Sequence, residues 1–132
     1  MRVLALDFGS ARCGCALSDP TGTLATPIAA VTQPTTESGV ERIRSLVRAR
    51  GVGRVVVGLP VTLSGGDSEQ TVAARAFAER LREQLFPVPV ELYDERLTTR
   101  LAQRTPGSAD EDSRAAAHLL EGWLARRSGT SS

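Results

Sequence analysis

The chain has no lysine and no asparagine, and all sixteen of its basic residues are arginine. Without lysine it can form no lysine Schiff base and has no P-loop lysine, whereas its guanidinium groups stay protonated and pair bidentately with phosphate or carboxylate. Aromatic residues make up only 4% of the chain, so few rings are present on which unpaired bases could stack. The two cysteines, Cys13 and Cys15, are too few for a structural zinc site, and we expect both to be buried thiols.

Length and charge set further limits. The 132 residues suffice for one hydrophobic core, and sixteen basic against fifteen acidic residues give a net charge of +1, which excludes a strongly basic nucleic-acid-binding tail. Met1 leads directly into an alternating strand pattern without a basic and apolar leader, and no apolar run approaches the roughly 18 residues that cross a bilayer. We therefore expect a cytoplasmic protein with no part in a membrane.

The spacing of apolar residues alternates along the chain between the two-residue period of strands and the wider period of helices. Three strands joined by short turns come first and predict an antiparallel meander, and the later strands alternate with helices, which requires parallel crossovers. We predict an α/β fold with a mixed five-stranded sheet flanked by α-helices, forming one domain over residues 1–126, with a disordered tail at 127–132. The predicted strands are 2–8, 13–18, 24–31, 55–57 and 88–93, and the predicted helices are 35–50, 68–86, 97–104 and one that begins near 110.

Three carboxylates stand out by their positions. Asp7 ends a hydrophobic strand and is followed by Gly9, where the backbone can turn sharply and let a phosphate approach. Glu95 ends another strand next to Asp94, and because neighbours on a strand face opposite ways, only one of these two can share a site with Asp7. Asp112 lies four residues before Ala116, on the inward stripe of the last helix. Strand ends of this kind gather ligands in an α/β sheet.

Three acids at one edge of a sheet would form an oxygen-rich pocket for one or two Mg²⁺ or Mn²⁺ ions, which prefer carboxylates and water. Two such ions can activate a water for attack on a phosphodiester and stabilise the leaving oxygen. Each acid also has a purely structural interpretation, which the sequence leaves open. Asp112 could interact with the helix dipole, and Asp7 and Glu95 could form turns or salt bridges.

Arginines are concentrated between residues 37 and 54, where five of them and two glutamates give a local charge of +3. Such a stretch can attract a phosphate backbone, but it is equally typical of a solvated helix face, and the sequence does not decide between the two. The one histidine, His118, falls on the outer face of its helix, so we expect it to be solvated. A Ser-His or Cys-His nucleophile therefore has no support.

Four blocks of the sequence match one known family pattern: residues 6–14 (LDFGSARCG), 57–60 (VGLP), 94–99 (DERLTT) and 112–116 (DSRAA). Through them the chain resembles the YqgF/RuvX family, bacterial proteins described as Holliday junction resolvases and as nucleases that mature the 5′ end of the small-subunit ribosomal RNA precursor. The resemblance extends from Arg2 to about Leu124. The chain departs from the family pattern at Ser10 and Ala11, where members usually have Thr-Lys, and in a shortened segment before Asp112.

The resemblance implies an RNase H-like fold and a metal-dependent nuclease in which Asp7, Glu95 and Asp112 are both the catalytic residues and the metal ligands. Arg12, Arg96 and Gly9 are then expected to bind the substrate. Precursor ribosomal RNA is the favoured nucleic acid, branched DNA is possible, and the protein is expected to be a monomer or a homodimer.

Two other functions stay open at this point. The departures from the family pattern are compatible with an RNA- or DNA-binding module that has no catalytic activity. The pattern Asp-x-Gly-x-x-x-x-Gly, residues 7–14, also resembles the phosphate loop of actin-like and sugar-kinase ATPases. Those proteins close two domains over one nucleotide, however, and this chain has the length of one.

Overall fold

The computed structural model of the chain describes residues 1–9, 11–59, 68–94 and 109–130. The predicted helix over 97–104 lies outside the described residues. Five strands and three helices are present within them. The strands are β1 (Arg2–Asp7), β2 (Arg12–Ser18), β3 (Ala25–Thr32), β4 (Val52–Leu59) and β5 (Val90–Asp94), and the helices are α1 (Glu37–Arg50), α2 (Glu69–Leu85) and α3 (Ala109–Thr130).

The five strands form one mixed sheet in the order β3-β2-β1-β4-β5. β2 pairs antiparallel with both β1 and β3, whereas β4 pairs parallel with β1 and β5 pairs parallel with β4. The predicted α/β fold, with a three-stranded meander followed by parallel crossovers, is therefore confirmed. Because β1 is the middle strand, its carboxyl end lies at the centre of one edge of the sheet.

Alternation of side chains along the strands produces two separate cores, one on each face of the sheet. We call them the α1/α2 core and the α3 core after the helices that cover them. The α1/α2 core includes Leu4, Leu6, Cys13, Cys15, Ile43, Val55, Val57, Phe77 and Leu81. The α3 core includes Val3, Ala5, Ala16, Val56, Tyr93, Ala116, Leu119, Leu120 and Trp123. Cys13 and Cys15 are buried free thiols, as predicted.

Capping residues define both ends of α1 and the start of α2. The Thr36 hydroxyl accepts a hydrogen bond from the amide of Gly39 at the start of α1, and Gly51 ends that helix in the left-handed conformation, with φ of 64°. Ser68 begins α2 with a capping box in which its side chain and that of Thr71 bond to each other's backbone amides. The sequence predicts that Gly51 ends the first of these helices and that Asp67 or Ser68 caps the second, and the structure has Gly51 and Ser68 in these roles.

The turn between β2 and β3 is organised by one carboxylate. Asp19 accepts hydrogen bonds from the amides of Leu24 at 2.9 Å and Thr23 at 2.8 Å, and from the hydroxyl of Thr21. The Leu24 amide first, and then the Thr21 hydroxyl, hold the pKa of Asp19 well below its usual range, because both stabilise the charged form. The turn therefore needs an ionised aspartate.

Several boundaries differ from those predicted. β4 is longer than the predicted 55–57, because pairing with β1 and β5 on its two sides extends it to Val52–Leu59. α3 continues to Thr130, so helix covers four residues of the predicted 127–132 tail. Among the residues that the structure describes, no helix is long and apolar enough to cross a membrane.

The start of α1 depends on a glycine that lies against backbone. A Cβ atom at Gly39 would clash with the carbonyl oxygen of Gln33 and would lie 2.8 Å from the Cα of Pro34. We expect Gly39→Ala to reduce the free energy of unfolding by about 1–3 kcal/mol, because neither backbone group can move aside without displacing the loop. Chemical denaturation measures this change.

Gly53 offers a matched control, because a Cβ atom there would clash with the flexible side chain of Met1 and would lie 3.9 Å from the carbonyl oxygen of Arg2, an ordinary contact distance. We expect Gly53→Ala to change the free energy of unfolding by less than about 0.5 kcal/mol. Equal destabilisation by the two substitutions would contradict the steric explanation for Gly39.

Candidate functional site

Asp7 is the last residue of β1 and one of the few buried charged groups in the described part of the chain, with 6% of its surface exposed. It alternates with Val3 and Ala5, which belong to the α3 core, whereas Leu4 and Leu6 belong to the α1/α2 core. Its side chain therefore lies on the face of the sheet that α3 covers. A carboxylate in such a place is costly unless charge or hydrogen bonds compensate it.

Both strands beside Asp7 present a glycine at its level. Gly14 of β2 is its register partner, and Gly58 of β4 follows Val57, the partner of Leu6. Alternation places both glycines on the α3 face, because Ala16 and Val56, two residues away, belong to the α3 core. At the level of Asp7, therefore, each adjacent strand presents a glycine, which leaves more space there than a larger residue would.

The first described turn of α3 is anchored to the sheet next to this carboxylate. Ser113 is 2% exposed, and its hydroxyl donates a hydrogen bond of 2.5 Å to the carbonyl oxygen of Ile28. The hydroxyl oxygen of Ser113 also accepts a hydrogen bond of 3.4 Å from the amide of Cys15, the residue after Gly14. The helix therefore begins at the edge of the sheet where β1 ends.

An irregularity in the sheet makes room for this anchor. Between β2 and β3 the register shifts, so that Ala29 and Ala30 lie opposite the single residue Gly14, as in a β-bulge. Cys15 and Ile28, which pair next to the shift, are joined through the Ser113 hydroxyl. The helix thus supplies the connection between two strands at the point where the ladder is irregular.

Asp112 precedes Ser113 in α3, so its backbone lies at the same edge of the sheet as Asp7. The predicted inward stripe is confirmed for Ala116, Leu119 and Trp123, which are 0%, 1% and 4% exposed. The side chain of Asp112 itself is outside the described part of the structure. Its assignment as a catalytic residue and metal ligand stays a prediction.

The sequence left open whether Asp94 or Glu95 shares a site with Asp7, and the end of β5 shows which face of the sheet Asp94 is on. Leu92 packs on the α1/α2 core and Tyr93 belongs to the α3 core, so alternation puts Asp94 on the face opposite Asp7. Asp94 therefore does not share a site with Asp7. Glu95 and Arg96, the predicted catalytic and substrate-binding residues that follow, lie outside the described residues.

Gly9 and Arg12 adjoin the carboxyl end of β1. A Cβ atom at Gly9 would lie 2.7 Å from the carbonyl oxygen of Arg12, so the close approach of the chain here requires glycine. Arg12 begins β2 two residues before Gly14 and is therefore on the α3 face, half-buried. Both predicted substrate-binding residues are close in the chain to the site, and their contact with substrate stays a prediction.

Much of the arginine-rich stretch is engaged within the protein. Arg44 pairs with Glu41 at 3.3 Å, Arg54 pairs with Glu91 at 2.7 Å, and Arg42 donates to the hydroxyl of Thr32. Arg48 and Arg50 are in the last turn of α1, which leads into the start of β4 and so lies at the end of the sheet away from Asp7. This placement favours the solvated helix face that the sequence left as one alternative. His118 is exposed and lies 3.3 Å from Glu121, as expected for an outward residue.

Comparison with known proteins identifies the family. The family model described as "RuvX: Holliday junction resolvase" matches residues 1–126. This chain belongs to the RuvX family. The resemblance found in the four sequence blocks is thus confirmed.

Relatives and solved structures agree with this assignment. Two relatives carry the name "Putative pre-16S rRNA nuclease". The one from Corynebacterium jeikeium is 37% identical, over 96% of this chain and 87% of its own length. The one from Anaeromyxobacter is 44% identical, over 94% of this chain and 96% of its own length. A solved structure of RuvC from T. thermophilus, in complex with a Holliday junction substrate, superposes with a TM-score of 0.57 at 16% identity and covers 98% of this chain and 97% of that one. The fold of this RuvX-family chain is RNase H-like.

The donor groups at the site fit a hard divalent cation. Asp7 supplies carboxylate oxygens at a level where both β2 and β4 have glycine, and oxygen ligands are those that Mg²⁺ and Mn²⁺ prefer. Among the side chains that the structure describes, no group of three or more acids, histidines or cysteines forms a complete metal site. Of the three predicted ligands, Asp7 alone has a side chain within the described part of the structure.

Sequence reasoning did not place Ser113 or Gly58 in this site, and it associated Gly14 with Asp7 only as a nearby turn glycine. Ser113 directly follows Asp112 and interrupts the apolar stripe with a hydroxyl, and a buried hydroxyl needs a partner, which is the signal that could have identified it. The two glycines acquire their meaning only from strand register, because each lies beside Asp7 on a different strand.

Removing the Ser113 hydroxyl tests the anchor of α3 in the RuvX fold. We expect Ser113→Ala to reduce the free energy of unfolding by about 1–3 kcal/mol, because it leaves the Cys15 amide and the Ile28 carbonyl without this partner in a buried setting. Chemical denaturation gives the energy, and faster hydrogen exchange at the Cys15 amide locates the change.

Ser45→Ala removes the same atom from an exposed position on α1 and should change the stability by less than about 0.5 kcal/mol. Wild-type stability and unchanged exchange in the Ser113 variant would disprove the anchoring role.

Proposed function

We propose that this chain is a divalent-metal-dependent nuclease that hydrolyses phosphodiester bonds at the carboxyl end of β1. The observation that carries the proposal is Asp7, a buried carboxylate at the centre of the sheet edge, with a glycine on each adjacent strand and the start of α3 docked beside it. Residues 1–126 constitute the nuclease domain in this proposal.

Asp7, Glu95 and Asp112 would hold one or two Mg²⁺ or Mn²⁺ ions. Three points of the chain support this set. Asp7 is on the α3 face, Asp112 is in the first turns of the helix that covers that face, and Asp94 is assigned to the opposite face, which leaves Glu95 as the acid from the end of β5. A trio of carboxylates concentrates negative charge that a divalent cation compensates.

A divalent cation bound there would neutralise charge on the phosphate and make a water more acidic for attack on phosphorus. The residues of the chain have separate tasks. The carboxylates orient the reacting groups, the Ser113 anchor keeps the start of α3 at the sheet edge, and Arg12, on the same face as Asp7, binds a phosphate oxygen together with Arg96. The close turn at Gly9 lets the nucleic-acid backbone approach.

Precursor ribosomal RNA is the proposed substrate, with cleavage that matures the 5′ end of the small-subunit RNA in the cytoplasm. The support is the family membership together with the name that the relatives from Corynebacterium and Anaeromyxobacter carry. Branched DNA is the alternative nucleic acid, because the family model is described as a Holliday junction resolvase.

A matched pair of aspartate substitutions tests the proposal. We expect Asp7→Asn to lower the cleavage rate about 100-fold or more with Mn²⁺, because it removes a charged oxygen ligand, and to weaken Mn²⁺ binding measured by calorimetry. Glu95→Gln and Asp112→Asn should act in the same direction. Substrates are precursor small-subunit RNA, unstructured RNA and a four-way DNA junction.

Asp94→Asn is the control, because it makes the same change at the end of a parallel strand but on the opposite face. We expect this variant to keep its cleavage rate within a few-fold. Equal rates in the wild type and the Asp7 variant would refute the metal-nuclease proposal, and RNA binding without metal binding or cleavage would favour a binding module. Preferred cleavage of the junction would replace RNA by DNA as the substrate.

A further inference from the structure

Tyr93 carries a buried hydroxyl that has no hydrogen-bond partner among the residues that the structure describes. The residue is 8% exposed and belongs to the α3 core. Buried tyrosine hydroxyls usually find a partner, and one that does not loses the hydrogen bonds that it would make to water. Phenylalanine would fill the same space without this loss, so the described residues leave the hydroxyl able to bond to a ligand.

The other buried hydroxyls in the described ranges do not share this property. The Ser18 hydroxyl accepts from the amide of Val3 and donates to the carbonyl of Asp19, Thr71 takes part in the capping box of α2, and Ser113 joins β2 to β3. Tyr93 is therefore the exception among them. Unpaired buried polar groups of this kind mark places where a ligand, ion or water completes the structure.

Strand register places Tyr93 level with the catalytic carboxylate. Tyr93 pairs with Gly58, and Gly58 is the residue of β4 that lies beside Asp7. All three positions are on the α3 face, and neighbouring strands are about 4.8 Å apart, so the backbones of Asp7 and Tyr93 are about 10 Å apart. Because Gly58 has no side chain, β4 contributes nothing to the space between the carboxylate and the phenol.

The remaining unpaired polar atom in the described chain provides a contrast. Nε of Arg54 also has no partner, but the same guanidinium pairs through Nη1 with Glu91 at 2.7 Å. Arg54 lies opposite Val3, near the beginning of β1 and therefore away from Asp7. The unpaired hydroxyl at the level of the carboxylate is thus the one whose position corresponds to the proposed site.

We propose that the Tyr93 hydroxyl donates a hydrogen bond to a non-bridging oxygen of the phosphate that is bound beside Asp7. The inference rests on the proposed function, which puts a phosphodiester at this edge of the sheet. No covalent bond to the phenol forms or breaks. Tyr93 is then a substrate-binding residue on the strand that precedes Glu95, and phosphate supplies the acceptor that the described residues do not.

Tyr93→Phe tests this inference through two independent measurements. Because the hydroxyl has no partner among the described residues, its removal should leave the unfolding midpoint of the ligand-free protein unchanged or raise it. Its removal should also weaken binding of precursor RNA, measured by fluorescence anisotropy with Ca²⁺ in place of Mg²⁺ to prevent cleavage, by about 10- to 100-fold, as for the loss of a hydrogen bond to a charged group. Ser113→Ala provides the comparison for a buried hydroxyl with protein partners, and it should lower the midpoint.

Three outcomes separate the possibilities. Unchanged RNA affinity and unchanged cleavage in Tyr93→Phe, together with loss of cleavage in Asp7→Asn, would overturn the role of Tyr93 and leave the nuclease proposal intact. A midpoint lowered as much as in Ser113→Ala would also overturn it, because the hydroxyl would then have a structural partner. If the wild type cleaves no substrate, the proposed function fails, and weakened RNA binding by the Tyr93 variant would still support phosphate recognition.

Discussion

The alternation of side chains along β1 is the constraint on which the rest of the molecule depends. This strand is at the centre of the sheet, and its residues supply both cores in turn, Leu4 and Leu6 to one and Val3 and Ala5 to the other. A slip of one residue in register would exchange the two sets and move Asp7 to the opposite face. The same packing that stabilises the sheet therefore fixes the side on which a charged ligand can bind.

The two faces are consequently specialised. The α1/α2 face is an apolar core that contains many large aliphatic and aromatic side chains. The rings of Phe8 and Phe77 are in contact there, with 4.7 Å between their centres. The α3 face has small residues near the carboxyl end of β1, where Gly14 and Gly58 flank Asp7. Small residues on the sheet allow α3 to approach this region closely, and the Ser113 hydroxyl holds the helix there through its hydrogen bonds to β2 and β3.

Local pattern was sufficient to predict the strands, the helix ends at Gly51 and Ser68, and the position of Asp7 at the end of β1, because each depends on periodicity or on residues next to each other. Ser113 and Tyr93 could not be found in this way. Ser113 acts on residues 85 and 98 positions away, and the relation of Tyr93 to Asp7 passes through a third strand. Such relations between distant residues can be recognised only once the strand order is known.

β3 forms one margin of the sheet, and on its outer side no other strand of the described residues pairs with it. Two features described above make it a poor template for a strand from another molecule. Pro27 has no amide hydrogen to donate, and the irregularity at Ala29 and Ala30 disturbs the spacing that a continuous ladder needs. The distortion that receives the Ser113 hydroxyl on the inner side thus also discourages edge-to-edge aggregation on the outer side.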